Sequence, residues 1–165
     1  MRFSLVRGVG SIALFAMLVV AYTPIHAQFS GAPSSDSAFS IPTASLLQPE
    51  ELNRLLHTQG ANKPLVLQVG SHMLFAQAHI AGSEYVGPCS QAEGLKQLHN
   101  RVAPLPRKTF IVLYCGCCPW SRCPNVGPAF KLLRDLGFTH VMTLNLADNL
   151  GTDWVDKGYP VERGR

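Results

Sequence analysis

The sequence predicts a single α/β domain with a mainly parallel central sheet flanked by helices. Three observations carry that expectation. Short apolar runs, Pro64 to Val69, Thr109 to Tyr114 and His140 to Leu146, read as strands, the first without polar alternation and so with the pattern of a strand covered on both faces. Between them lie segments whose leucines recur at helical spacing. The connections are brief and punctuated by Gly and Pro, and alternation of this kind builds a parallel sheet under helices. At 165 residues, 47% apolar and 15% charged, the chain has length for one core rather than two.

Taken in order, the elements begin after an export signal. Arg2 and Arg7 precede an uncharged run from Val9 to Tyr22, followed by Pro24 and the small Ala27. That organisation reads as a signal peptide over residues 1–27. The run is short for a bilayer span, and Ile25 and Ala27 occupy the positions a signal peptidase inspects. A periplasmic or secreted protein cleaved near Ala27 is expected, with no stable membrane anchor. Residues 28–46, rich in Ser, Ala, Pro and Gly, read as a flexible leader to a domain over 47–165.

The first helix is expected near Gln48. Pro49 suits a first helical position, Glu50 and Glu51 favour the positive end of the helix, Leu52, Leu55 and Leu56 share a face, and Gly60 stops it. Ser90 and Glu93 have the spacing of a capping box for a helix through Val102, with Leu95, Leu98 and Val102 on one face and Pro104 and Pro106 beyond its end. A further helix from about Asn125 to Leu136 carries Phe130, Leu132, Leu133 and Leu136, and Gly137 is its C-terminal stop.

The chemistry concentrates in one loop, Cys115-Gly116-Cys117-Cys118-Pro119-Trp120-Ser121-Arg122-Cys123. Cys115 ends the strongest strand where a loop must turn into a helix. Its side chain is expected to point into a ring of loop amides, with the positive end of the helix favouring a thiolate. The amides of Gly116, Cys117, Cys118, Trp120 and Ser121 would form that cradle, while Pro119 donates none. Trp120 is expected as an apolar wall, and Arg122 as positive potential for an anion. Cys117, Cys118 and Cys123 are candidates to attack a persulfide or sulfenate on Cys115. A structural disulfide, of Cys118 with Cys123 or of Cys89 with one of them, remains open. The five cysteines leave at least one sulfur unpaired within a monomer.

With this order in place, the chain from about Gln48 to Glu162 resembles the rhodanese homology domain. Leu65-Val66-Leu67-Gln68-Val69 looks like the family's opening strand, and Ala78-His79-Ile80-Ala81-Gly82 is similar to its Gly-His-Ile-Pro-Gly signature. Ile111-Val112-Leu113-Tyr114-Cys115 resembles the strand that carries the nucleophile, and Trp154 to Val161 resembles the closing element. The resemblance implies a rhodanese-like fold and thiosulfate sulfurtransferase-like chemistry. Cys115 would carry sulfane sulfur as a persulfide between a small sulfur-containing anion and a thiol acceptor, with no cofactor. The sequence departs from the family pattern at Gln68 and Gly70, where Asp and Arg are usual, and at Asn149-Leu150-Gly151, where Gly-Gly is usual. Arg122 lies seven residues after Cys115 rather than five.

Two other classes stay open. One is a non-catalytic redox-sensing or copper(I)-binding module built on Cys115, Cys117, Cys118 and Cys123, with His72 and His79 as the imidazoles able to approach in the fold. The other is phosphatase-like or arsenate reductase-like oxyanion chemistry, for which no general acid is evident. Nucleic acid is excluded as a partner. The net charge of +4 falls to +2 once Arg2 and Arg7 leave with the signal peptide, and no basic run is interleaved with aromatics. His79 is expected to hold its turn through the backbone, and Trp154 to pack in the core.

Overall fold

The computed structural model describes residues 40–58 and 63–164. The expected signal peptide, the leader up to residue 39 and the helix stop at Gly60 lie outside the described residues. Five short strands form one sheet: β1 (Leu46–Leu47), β2 (Leu65–Gln68), β4 (Glu84–Tyr85), β5 (Ile111–Tyr114) and β6 (Val141–Leu144). Their order is β1-β6-β5-β2-β4, and every neighbouring pair is parallel. Two further strands, β3 (His79–Ile80) and β7 (Val161–Glu162), pair antiparallel in a small separate ribbon. Helices α1 (Pro49–Leu56), α2 (His72–Gln77), α3 (Ala92–Val102) and α4 (Val126–Asp135) connect them.

The side-chain period of two in β5 divides the core into two layers and determines which side the reactive sulfur takes. Ile111, Leu113 and Cys115 face Leu98 and Val102 of α3 and Ala129 and Leu133 of α4. Val112 and Tyr114 face the opposite layer, with Leu52 of α1, Leu150 and Trp154. Trp154 lies in a π-helical turn, Gly151–Val155, is fully buried, and donates its indole N–H to the Pro160 carbonyl at 2.9 Å. Gly137, just past the Leu136 C-cap of α4, takes φ +85°, a conformation that suits glycine and ends the helix.

Three local expectations are corrected. Order begins before Gln48: Ile41 is buried, Thr43–Ser45 make a 3₁₀ turn, and Leu46–Leu47 join the sheet beside β6. The polar composition of the leader hides Ile41, which is buried, and Leu46, which is half-buried where it joins the sheet edge. The capping box does not form. Helix α3 starts at Ala92 with Gln91 at its N-cap and no side-chain cap, while the Ser90 amide donates to Asn125 Oδ1 at 2.8 Å. The sheet is also wider than the three apolar runs indicated, because β1 and β4 are only two residues long and carry no readable period. Among the described residues, no helix is long and apolar enough to cross a membrane.

Candidate active site

Cys115 follows the last residue of β5, at the carboxyl end of the sheet, where α/β folds place their ligands. Gly116 turns the chain there with φ +89°, and its carbonyl accepts the Leu150 amide at 3.0 Å. The loop then bends so that Cys117 Sγ lies 3.3 Å from Cys115 Sγ and 3.0 Å from Cys118 Sγ. A 3₁₀ turn, Trp120–Arg122, brings Cys123 back beneath the loop at the start of α4. The sulfurs of Cys115, Cys117 and Cys123 all stand within 4.8 Å of one another. All five cysteines are free thiols.

Two residues outside the loop hold this arrangement. Gln68, at the end of β2, donates from Nε2 to the Cys115 carbonyl at 2.8 Å and accepts the Gly70 amide on Oε1 at 3.2 Å. Asn125 donates from Nδ2 towards Cys115 Sγ at 3.5 Å while its Oδ1 accepts the Ser90 amide. Gly70 is required by packing: a Cβ there would stand 2.5 Å from Cys115 Sγ.

A cavity of about 320 Å³ opens over Cys115. Gln68, Gln77 and Asn149 bring amides to its wall, Leu74, Leu150 and Val155 bring hydrocarbon, and Cys115 and Cys117 bring sulfur. None of its lining residues is charged. Of the residues expected to bind substrate, Gly116 and Cys117 line it; Cys118, Trp120, Ser121 and Arg122 do not. Arg122 and Ser121 are exposed in the 3₁₀ turn. The Trp120 amide is committed to the Leu146 carbonyl at 3.0 Å, so it is withdrawn from the expected cradle.

The ionisation of the pair also differs from expectation. Cys123 is lowered to about 6: Cys115 hydrogen-bonds to it, and the amides of Asn125 and Val126, at the positive end of α4, add to that support. Cys115 is displaced upward by its hydrogen bond to Cys123 and then by burial. Of the two, Cys123 is the more acidic sulfur, and Cys115 is the one that lines the cavity. The helix end supports a thiolate on Cys123 rather than on Cys115, where it was expected. Cys118 is pushed up to about 12, mainly by burial. Cys89 is fully buried, directs its thiol at the Val86 and Gly94 carbonyls, and is likewise pushed up to about 12, mainly by burial.

Neither histidine joins the sulfurs. His72 meets Tyr85 edge-on at 4.9 Å, and His79 stacks on Phe75 at 3.8 Å with Nδ1 2.8 Å from the Phe75 carbonyl. The expected backbone role of His79 is the one observed. Gln68 and Asn125 are the supporting residues that sequence reasoning missed. Gln68 was legible only as a departure from Asp, and Asn125 only as a helix start.

A parallel sheet between two helical layers, with a cysteine at the carboxyl end of a central strand, defines an α/β domain that presents a thiol where such folds place their ligands. The sequence matches no protein-family model and no curated protein. Among solved structures, the chain is similar to the rhodanese-like domain of a protein from Anabaena, at 24% identity over 72% of this chain and 79% of that one, with a TM-score of 0.52. A crystal structure from the same Anabaena protein aligns at 22% identity over 72% and 92%, with a TM-score of 0.53. A protein from Bacillus halodurans aligns at 18% identity over 73% and 78%, with a TM-score of 0.55. The chain has the rhodanese-like fold, as the sequence resemblance implied.

Proposed function

We propose that the protein accepts a sulfane sulfur atom on Cys115 and passes it to a thiol acceptor. One observation carries the reading: Cys115 Sγ lines a small cavity at the end of the central strand, 3.3 Å from a second thiol. As the cycle starts, Cys115 gives its proton to the Cys123 sulfur and attacks the terminal sulfur of a donor R–S–SH. The bond between the donor's two sulfurs breaks, Cys115–S–SH forms, and RS⁻ leaves. An acceptor thiolate then attacks the outer sulfur of that persulfide. It takes the sulfur away, and Cys115 regains its proton.

The uncharged wall selects the donor. Thiosulfate is a dianion, and burying it without a cation is costly. A small alkyl persulfide of low charge suits amide and aliphatic walls better. This reading goes with an exported protein cleaved near Ala27, supported by Arg2, Arg7 and the run from Val9 to Tyr22. The test is the rate of sulfur transfer to a thiol acceptor, with an alkyl persulfide and thiosulfate compared as donors. The persulfide is expected to be preferred, and Cys115→Ser to lose at least about a hundredfold. A serine variant as fast as the parent would end the proposal.

A further inference from the structure

Beyond its place in a transfer cycle, the loop gathers sulfurs with the geometry of a ligand set. The Sγ atoms of Cys115, Cys117 and Cys123 lie within 4.8 Å of one another, the first two 3.3 Å apart. An ion held by three thiolates at about 2.3 Å each needs sulfurs roughly 4 Å apart. The observed separations bracket that spacing, so adjustments below about an ångström would close the set.

We propose that Cys115, Cys117 and Cys123 form a trigonal all-sulfur site for a copper(I) ion, a property independent of the sulfur-transfer reading. Ligand softness selects the metal. Among the described residues no imidazole or carboxylate joins the cluster, since His72 packs on Tyr85 and His79 on Phe75. An all-thiolate set disfavours magnesium, calcium and manganese, and leaves copper(I) and zinc as the competitors.

Coordination number separates those two. Structural zinc takes four ligands in a tetrahedron, whose edges would be about 3.8 Å with bonds of about 2.3 Å. The available fourth sulfur is Cys118, adjacent in sequence to Cys117 and 3.0 Å from its Sγ. Moving it to a tetrahedral vertex would push it away from Cys117 within one dipeptide, and it lies outside the three-sulfur group. Copper(I) is satisfied by three.

The surroundings suit a complex that carries excess negative charge. Asn125 Nδ2 points at Cys115 Sγ from 3.5 Å, and the first amides of α4 support Cys123. Cys115 and Cys123 are buried while Cys117 is exposed, so an incoming ion meets Cys117 first and exchanges solvent for the two sheltered sulfurs. Water is then kept from all but one face.

The experiment is an anaerobic titration of the reduced, metal-free full chain with copper(I) buffered by bicinchoninate. One copper(I) per chain is expected, with three sulfur neighbours at about 2.3 Å by X-ray absorption. Cys115→Ser, Cys117→Ser and Cys123→Ser should each weaken binding by more than about a hundredfold, and Cys118→Ser and Cys89→Ser by less than about threefold. Urea midpoints of the metal-free variants, with the corresponding alanine variants alongside, separate a lost ligand from a lost fold. Failure to retain copper(I), a Cys118→Ser loss as large as that of Cys117→Ser, or equal retention of zinc in the same competition would each overturn the site. Because persulfide loading of Cys115 is measured on metal-free protein, loss of one property leaves the other standing.

Discussion

Cys123 shows how position overrides residue type. Cys115 and Cys123 are the same side chain a few ångströms apart, yet Cys123 sits at the start of α4 and takes the charge that backbone amides and the Cys115 thiol stabilise. This has a consequence for stability. The folded-state value of Cys123, about 6, lies below the ordinary cysteine value of 9.0, so its contribution is complete above the unfolded value and is lost as pH falls through about 6. Cys115 is shifted the opposite way, so its contribution is complete below the ordinary value and is lost only on the alkaline side. Between about pH 6 and 9 the Cys123 contribution grows with pH, and the stability of the reduced protein should rise with it. Urea midpoints of reduced protein at pH 6.5 and 8.5, two points inside that window, are expected to show the rise, and Cys123→Ser to lack it. An identical rise in the variant would refute the assignment of charge. Cys115 was legible in the sequence because a β-branched run ended on it. The proton's location was not, since it depends on how a nine-residue loop folds back on α4.

At the scale of elements, the strongly periodic segments were legible and the short ones were not. α1, α3 and α4 announced themselves through leucines at helical spacing, and β2, β5 and β6 through short apolar runs. β1, β3, β4 and β7 are each two residues long, so their existence depends on neighbours rather than on any local pattern. The seating of α3 is a comparable case. Gly94 reads as a weak point inside a helix, where alanine would add about 1 kcal/mol of propensity. Its absent Cβ instead admits the Pro88 carbonyl, against which a methyl group would fall well inside contact distance. Overpacking against backbone costs about 3 kcal/mol, so the clash outweighs propensity. Gly94→Ala should therefore destabilise the fold by about 2 kcal/mol. Thermal unfolding checks it, and an increase in Tm would show that α3 can shift away.

For the molecule as a whole, the sheet sorts its residues into two core layers, and the site depends on both. Tyr114, one residue before the nucleophile, faces the second layer, where its hydroxyl lies 2.9 Å from Ser83 Oγ and accepts the Ile80 amide at 3.2 Å. Cys115 faces the first layer, so β5 is shared by both core layers at the site. The sheet edge belongs to the same unit. β1 pairs with β6, the Leu47 carbonyl accepts the Asn145 amide at 2.8 Å, and Ile41 and Leu47 are buried. A chain beginning at Gln48 should be less stable than one beginning at Ser40 by roughly 3 kcal/mol, the burial of two aliphatic side chains offset by the entropy of ordering them. Equal urea midpoints for the two chains would mean that β1 is dispensable.

The central claim is that Cys115 takes up sulfane sulfur, and intact-mass spectrometry of the reduced, metal-free protein after incubation with an alkyl persulfide tests it most directly. The expected result is a gain of about 32 Da that maps to the peptide bearing Cys115, is removed by an acceptor thiol and is absent from Cys115→Ser. No gain, or a gain that survives in Cys115→Ser, would contradict it.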